Sequence, residues 1–148
     1  MATFMENVVQ DWRKRPWWMN LIFYFCVYMT FIYMPFDMFY KPVAEDEEVW
    51  FGFVLHGWWA KATEPLHWLI YGFGAYGFWR MRPWMRPWAG VYAAQVCIAM
   101  AVFNLVDPRG GGWVAAIIAG AIFAVPMVAL FRTRLFDAQR DDEVASEA

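Results

Sequence analysis

The sequence predicts an all-α integral membrane protein with four transmembrane helices and an amphipathic helix lying in the interface between spans 1 and 2. Composition is the first observation: of 148 residues, 61% are hydrophobic and 22% aromatic. A soluble domain of this length leaves too much surface exposed to hide 11 Trp, 14 Phe, 7 Tyr and 10 Met. The second is that the apolar residues fall in runs of spanning length. The third is that Lys and Arg gather in the short segments on one side of those runs. A formal net charge of -2 and only two cysteines exclude a nucleic-acid binder with a basic stripe, a disordered chain and a disulfide scaffold.

Span 1 runs from Trp17 to Tyr40, and its one charge, Asp37, lies three residues from the end. A hydrocarbon core of about 30 Å needs about 20 residues at a rise of about 1.5 Å each. The run is too long for the apolar core of a signal peptide, about 7 to 15 residues, and Met34-Pro35-Phe36-Asp37 is no small-residue cleavage site. Next, the acidic run Glu45-Asp46-Glu47-Glu48 favours the positive end of a helix dipole. Val49 to Ala60 then mixes Trp50, Phe51, Phe53, Trp58 and Trp59 with His56, which predicts the short interfacial helix. Span 2 covers about residues 62–80, with Glu64 and Pro65 in its first turn, where a missing N–H costs nothing. Span 3 covers about 88–106 and span 4 about 113–131, each free of charge. The whole chain reads as one membrane domain, 1–148, ending in a polar acidic tail over 137–148.

Orientation follows from the basic residues. Arg13, Lys14, Arg15, Arg80, Arg82, Arg86, Arg132, Arg134 and Arg140 flank one set of ends, against Lys41, Lys61 and Arg109 at the other, so both termini are expected on the cytoplasmic side. Nine Arg against three Lys, with much Ala, points to a bacterial plasma membrane.

Gly72-Phe73-Gly74-Ala75-Tyr76-Gly77 has the glycine spacing of a dinucleotide loop, but it lies inside a span rather than between a strand and a helix. Small residues there serve close helix packing. Cys26 and Cys97 read as buried small hydrophobes, and two His with two distant Cys make no metal-site spacing. No cofactor motif is present; ligation of a pigment or haem by His67 or His56 is the one alternative the histidines leave open.

Ionisable residues inside spans are costly, so they mark function. Asp37, Glu64 and His67 all fall in the outer third of their spans and are the candidate catalytic residues. Trp58, Trp59, Tyr71, Tyr92, Gln95, Asn104 and Asp107 are the candidate ligand-binding residues around them. A carboxyl group in a water-poor aromatic pocket can donate or relay a proton, whereas in the plainer reading the same acids are interfacial residues reaching water.

Between about Leu21 and Phe131 the chain resembles the emopamil-binding superfamily of small membrane proteins. The likeness rests on Phe36-Asp37-Met38 late in helix 1, on Trp59-Ala60-Lys61 leading to Glu64, and on Tyr92 with Gln95 in helix 3. The resemblance implies cytoplasmic termini and an aromatic intramembrane pocket for a sterol or other flat lipid. The chain departs from the isomerases of that superfamily: helix 1 has no His beside its acid, and the middle of helix 2 has no carboxylate. The expected function is binding of a membrane lipid, sterol or isoprenoid, with acid–base isomerase or cyclase chemistry on it. The alternative is an accessory or assembly subunit of a respiratory or photosynthetic membrane complex. Expected partners are the lipid ligand and either further copies of the chain or a larger membrane complex, with no nucleic acid.

Overall fold

Residues 3–137 are described by a computed structural model; apart from Asp137, the acidic tail lies outside them. The chain opens with a helix the sequence reading did not anticipate, α1 (Phe4–Arg13). Thr3 and Glu6 form a capping box: the Glu6 N–H donates to Thr3 Oγ1 at 3.3 Å and the Thr3 N–H to Glu6 Oε2 at 2.5 Å. Pro16, in extended backbone, separates α1 from the first long helix.

Span 1 is a continuous helical rod from Trp17 to Tyr40, as expected, but it changes pitch. It runs as α2 (Trp17–Tyr28), one π-helical turn (Met29–Tyr33) and α3 (Met34–Tyr40). Pro35 gives the physical reason. In the widened register the Met34 N–H donates to Met29 O, so the next donor in sequence, facing Thr30 O, would be residue 35, which has no N–H. The indole of Trp68 supplies the missing donor, 2.7 Å from Thr30 O. The extra residue in this turn rotates all that follows, and Asp37 faces inward with 1% of its surface exposed.

The expected interfacial helix over Val49–Ala60 is not formed, and the fold is not all-α. After a short 3-10 turn (Val43–Glu45), β1 (Glu47–Trp50) and β2 (Phe53–His56) form an antiparallel hairpin with Trp50 paired to Phe53. Phe51 and Gly52 between them have φ of 52° and 91°, the two positive values that a type I′ turn demands. Aromatic and β-branched residues flanking a glycine are strand and turn formers, and here that local chemistry prevails over the helical spacing of the Trp residues. The acidic run alternates as a strand edge does, with Glu45 and Glu47 exposed and Asp46 and Glu48 buried.

Gly52 fixes the hairpin to the bundle. A Cβ added there would lie 2.4 Å from Val102 Cβ and 2.8 Å from Ala99 O, in addition to the strain at positive φ. Gly52→Ala is expected to cost about 1–3 kcal/mol and lower the thermal unfolding midpoint in detergent; an unchanged midpoint would show that the hairpin is not seated on that helix.

The remaining helices are α4 (Trp58–Trp79), α5 (Met85–Val106) and α6 (Gly112–Arg132). Helix α4 thus begins four residues earlier than expected and takes in Trp58 and Trp59. Helix α2 packs on α4 and α5 on α6, while α4 and α5 touch at few places, so the helices pair rather than close into a uniform four-helix bundle. Gly74 and Gly77 serve close approach, as expected, since a Cβ would meet Cys26 Sγ at 3.2 Å and Met85 Sδ at 2.3 Å; Gly90 likewise receives the ring of Phe131, at 2.7 Å.

A core of Met19, Phe23, Phe78, Met81, Met85, Leu130 and Phe136 fills the end at which α2 and α5 begin and α4 and α6 finish. Arg15 is buried in it. Its guanidinium donates to Phe78 O at 2.9 Å, Asn20 Oδ1 at 2.9 Å and Asp11 Oδ2 at 2.5 Å, and lies 4.4 Å above the Phe23 ring. It therefore ties α1 and α2 to the free carbonyls at the end of α4.

Trp17–Tyr40, Met85–Val106 and Gly112–Asp137 are long and apolar enough to cross a membrane. Their outward faces suit that location: Trp113, Val114, Ile117, Ile122 and Val125 of α6 are each more than 60% exposed. Water would not tolerate so continuous an apolar stripe, and hydrocarbon does.

Candidate functional site

At the end of the molecule opposite Arg15, four carboxyl groups converge under the hairpin. Asp37 comes from α3, Asp46 and Glu48 from the turn and β1, and Glu64 from the second turn of α4; none is more than 9% exposed. One oxygen each of Asp37, Glu48 and Glu64 lies within 4.8 Å of the others. Elements distant in sequence meet here because the π-helical turn points Asp37 inward and the strand alternation does the same for Asp46 and Glu48.

Two ammonium groups enter the cluster. Lys41 Nζ lies 2.9 Å from both Asp37 Oδ1 and Asp46 Oδ1. Lys61 Nζ donates to Glu64 Oε1 at 3.1 Å, to Lys41 O at 3.3 Å and to the backbone oxygen of Asp37, and lies 3.5 Å from Asp46 Oδ2. Lysine thus neutralises part of the acid and also closes the open carbonyl end of α3. Burial alone would raise the Asp46 carboxyl, but Lys41, the neighbouring Glu64 and Lys61 outweigh it and hold the group below the usual carboxylate range. The same balance, burial against Asp37 and Asp46, holds Lys41 above the usual ammonium range. A depressed Asp46 contributes stability above the ordinary carboxylate value of about 3.9 and loses it on acidification. A raised Lys41 contributes below about 10.4 and loses it only at higher pH, so both contributions are complete at neutrality.

With all four ionised, the carboxyl groups exceed the two ammoniums by two negative charges. Burying such a surplus costs several kcal/mol per ion unless positive charge joins it. The surplus is matched by orphaned atoms: Asp37 Oδ2 and Glu64 Oε2 are buried with no hydrogen-bond partner, and Asp46 is held by ion pairs alone.

His67 borders the cluster one turn below Glu64. Its Nδ1 lies 2.6 Å from Glu48 Oε2, and its ring stacks on Trp50 with centroids 4.1 Å apart and planes 2° from parallel. The indole Nε1 of Trp50 is buried and meets no acceptor among the described residues. Deeper along α4, Tyr71 accepts a hydrogen bond from the Tyr92 hydroxyl of α5 at 3.3 Å, and its ring lies 6.2 Å from that of His67.

The three candidate catalytic residues therefore come together: Asp37 and Glu64 directly, His67 through Glu48. Of the candidate ligand-binding residues, Tyr71 and Tyr92 line the way inward from His67, and Gln95 is half-buried farther along α5. Trp58 and Trp59 are each 77% exposed and face outward. Asn104 and Asp107 are used by the α5–α6 connection. Asn104 donates to Met100 O at 2.8 Å and accepts from the Gly111 N–H at 3.3 Å, and Asp107 pairs with Arg109, which reaches on to Glu47. His56 pairs with Glu47 at the exposed hairpin edge. The reading by sequence missed Lys41, Asp46, Glu48, Trp50 and Lys61 as site residues. The period-two alternation through 45–48 was the signal that could have found Asp46 and Glu48. No protein-family model, no curated protein and no solved structure matches the chain.

Proposed function

We propose that this is an integral membrane protein of four spans that holds a hydrophobic lipid, sterol or isoprenoid with its polar end against the carboxyl cluster and exchanges a proton with it at His67. The observation that carries the reading is the buried indole N–H of Trp50, without an acceptor, stacked on a histidine beside orphaned carboxyl oxygens. A hydroxyl or carbonyl oxygen at the head of an otherwise apolar molecule satisfies that donor, while Asp37 and Glu64 supply counter-charge for a cation developing on the substrate. His67 is the exchanging group because Glu48, 2.6 Å from its Nδ1, orients the ring. The aromatic rings of Trp50, Tyr71 and Tyr92 favour a flat or cationic body beside them. The resemblance over 21–131 to the emopamil-binding superfamily points to the same substrate class.

Helix α4 is the fourth span. Its 22 residues extend about 33 Å, and Lys61 and Glu64 lie in its first two turns, at the outer end. The arginine-rich end, with both termini, is cytoplasmic, and the membrane is the bacterial plasma membrane.

Purification in mild detergent, with mass spectrometry of the retained lipids and an absorption spectrum, tests the reading. One sterol, isoprenoid or quinone class is expected in near-stoichiometric amount from a colourless sample, and Trp50→Phe is expected to reduce its retention. Retained lipid that merely mirrors the bulk membrane, or stoichiometric partner proteins in its place, would refute it.

A further inference from the structure

We infer that Asp37, Glu48 and Glu64 form a binding site for a hard divalent cation of the calcium or manganese type, at the outer end of the bundle beneath the hairpin. The acids are not merely near one another. Their ligand oxygens lie within 4.8 Å, a spacing that one ion at about 2.3–2.6 Å from each can bridge. Two of the three also present a buried oxygen that no protein donor reaches: Asp37 Oδ2, on a side chain 2% exposed, and Glu64 Oε2, on a side chain with no exposure. In each case the other oxygen is the one engaged by lysine, Lys41 on Asp37 Oδ1 and Lys61 on Glu64 Oε1. The lysines thus hold the two carboxylates from one side and leave the opposite oxygens for a second cation.

Charge bears on the ion's valence. With every carboxyl ionised, as a ligating carboxylate must be, Asp37, Asp46, Glu48 and Glu64 carry four negative charges and Lys41 with Lys61 returns two, so one divalent ion brings the cluster to neutrality with His67 uncharged. Oxygen-only ligands select a hard ion over zinc or copper, which prefer nitrogen and sulfur. His67 acts on the site through Glu48, whose Oε2 it holds at 2.6 Å, in the manner of an outer-shell partner that orients a ligating carboxylate. Three protein ligands on three separate elements leave coordination positions for water or for an oxygen of a bound molecule. The inference does not depend on what that molecule is, nor on the lipid reading.

The test uses the detergent-purified full chain, stripped with chelator, and follows Tb3+ emission excited through tryptophan, then its displacement by Ca2+. Saturable emission that Ca2+ displaces is expected. Asp37→Asn and Glu48→Gln are each expected to weaken Ca2+ at least about tenfold, and Lys41→Met, which removes a competing positive charge, to tighten it. Ca2+ is also expected to raise the unfolding midpoint of the parent protein and not that of Asp37→Asn. Absence of saturable emission in the folded parent protein overturns the inference. So does Ca2+ affinity that neither the acidic variants nor Lys41→Met changes. Should the acidic variants fail to fold, the direction of the Lys41→Met effect decides. Because the readout is metal binding, a negative result leaves the lipid reading standing, and loss of lipid retention leaves this one standing.

Discussion

Arg15→Ala is expected to destabilise the protein by about 3–5 kcal/mol, because several buried acceptors lose their donor at about 1–3 kcal/mol each. The guanidinium is 3% exposed and reaches three elements at once: Asp11 on α1, Asn20 on α2 and the carbonyl oxygens of Phe78 and Trp79 at the end of α4. Its loss leaves an amide oxygen and the last carbonyls of a helix without their donor beside a core built from Met19, Phe23, Phe78 and Phe136, and leaves Asp11 with Lys14 alone. Arg15→Lys is expected to recover only part of the loss, since one ammonium on a flexible stem does not reproduce a planar fork that serves several acceptors. Thermal unfolding in detergent, read by near-ultraviolet circular dichroism, measures both variants. A midpoint for Arg15→Ala equal to that of the parent would mean that the Arg15 network does not hold the helices together.

The second large effect is on chemistry. With the lipid found by co-purification as substrate, His67→Gln is expected to lower turnover by about 10²–10⁴-fold, the range ascribed to a positioned acid or base. Glutamine keeps a donor for Glu48 and roughly the ring's volume, so the fold and lipid retention are expected to survive. Asp37→Asn and Glu64→Gln are expected to lower turnover as well, because each removes counter-charge from a developing cation. A His67→Gln protein that turns over substrate at the parent rate would remove His67 from the chemistry.

How far the sequence carried this reading varies by element. The helices expected for spans 1, 3 and 4 match Trp17–Tyr40, Met85–Val106 and Gly112–Arg132 to within three residues at either end, because a run of about twenty apolar residues favours one continuous helix. The hairpin was not legible. The helical spacing of the Trp residues masked the strand and turn chemistry of Trp50, Phe51, Gly52 and Phe53, and nothing local shows that Gly52 lies against Val102 and Ala99 of a helix about fifty residues away. In the candidate site, Asp37, Glu64 and His67 stood out because ionisable groups in spans are expensive. Glu48 and Asp46 were hidden in an acidic run that read as the start of the expected interfacial helix.

Composition and the length of the apolar runs thus determine by themselves that this chain has helices long and apolar enough to cross a membrane, with most of its basic residues outside the apolar runs. These are properties of the chain's contact with solvent, additive over residues and indifferent to which helix meets which. Where the buried charges meet was decided only by tertiary structure. Pro35 widens one turn and rotates Asp37 inward, Trp68 replaces the donor that proline lacks, and a hairpin seated on α5 carries Asp46, Glu48 and Trp50 over α4. Electrostatic energy depends on distances between groups far apart in sequence and on the polarity around them, and neither exists until the chain has packed.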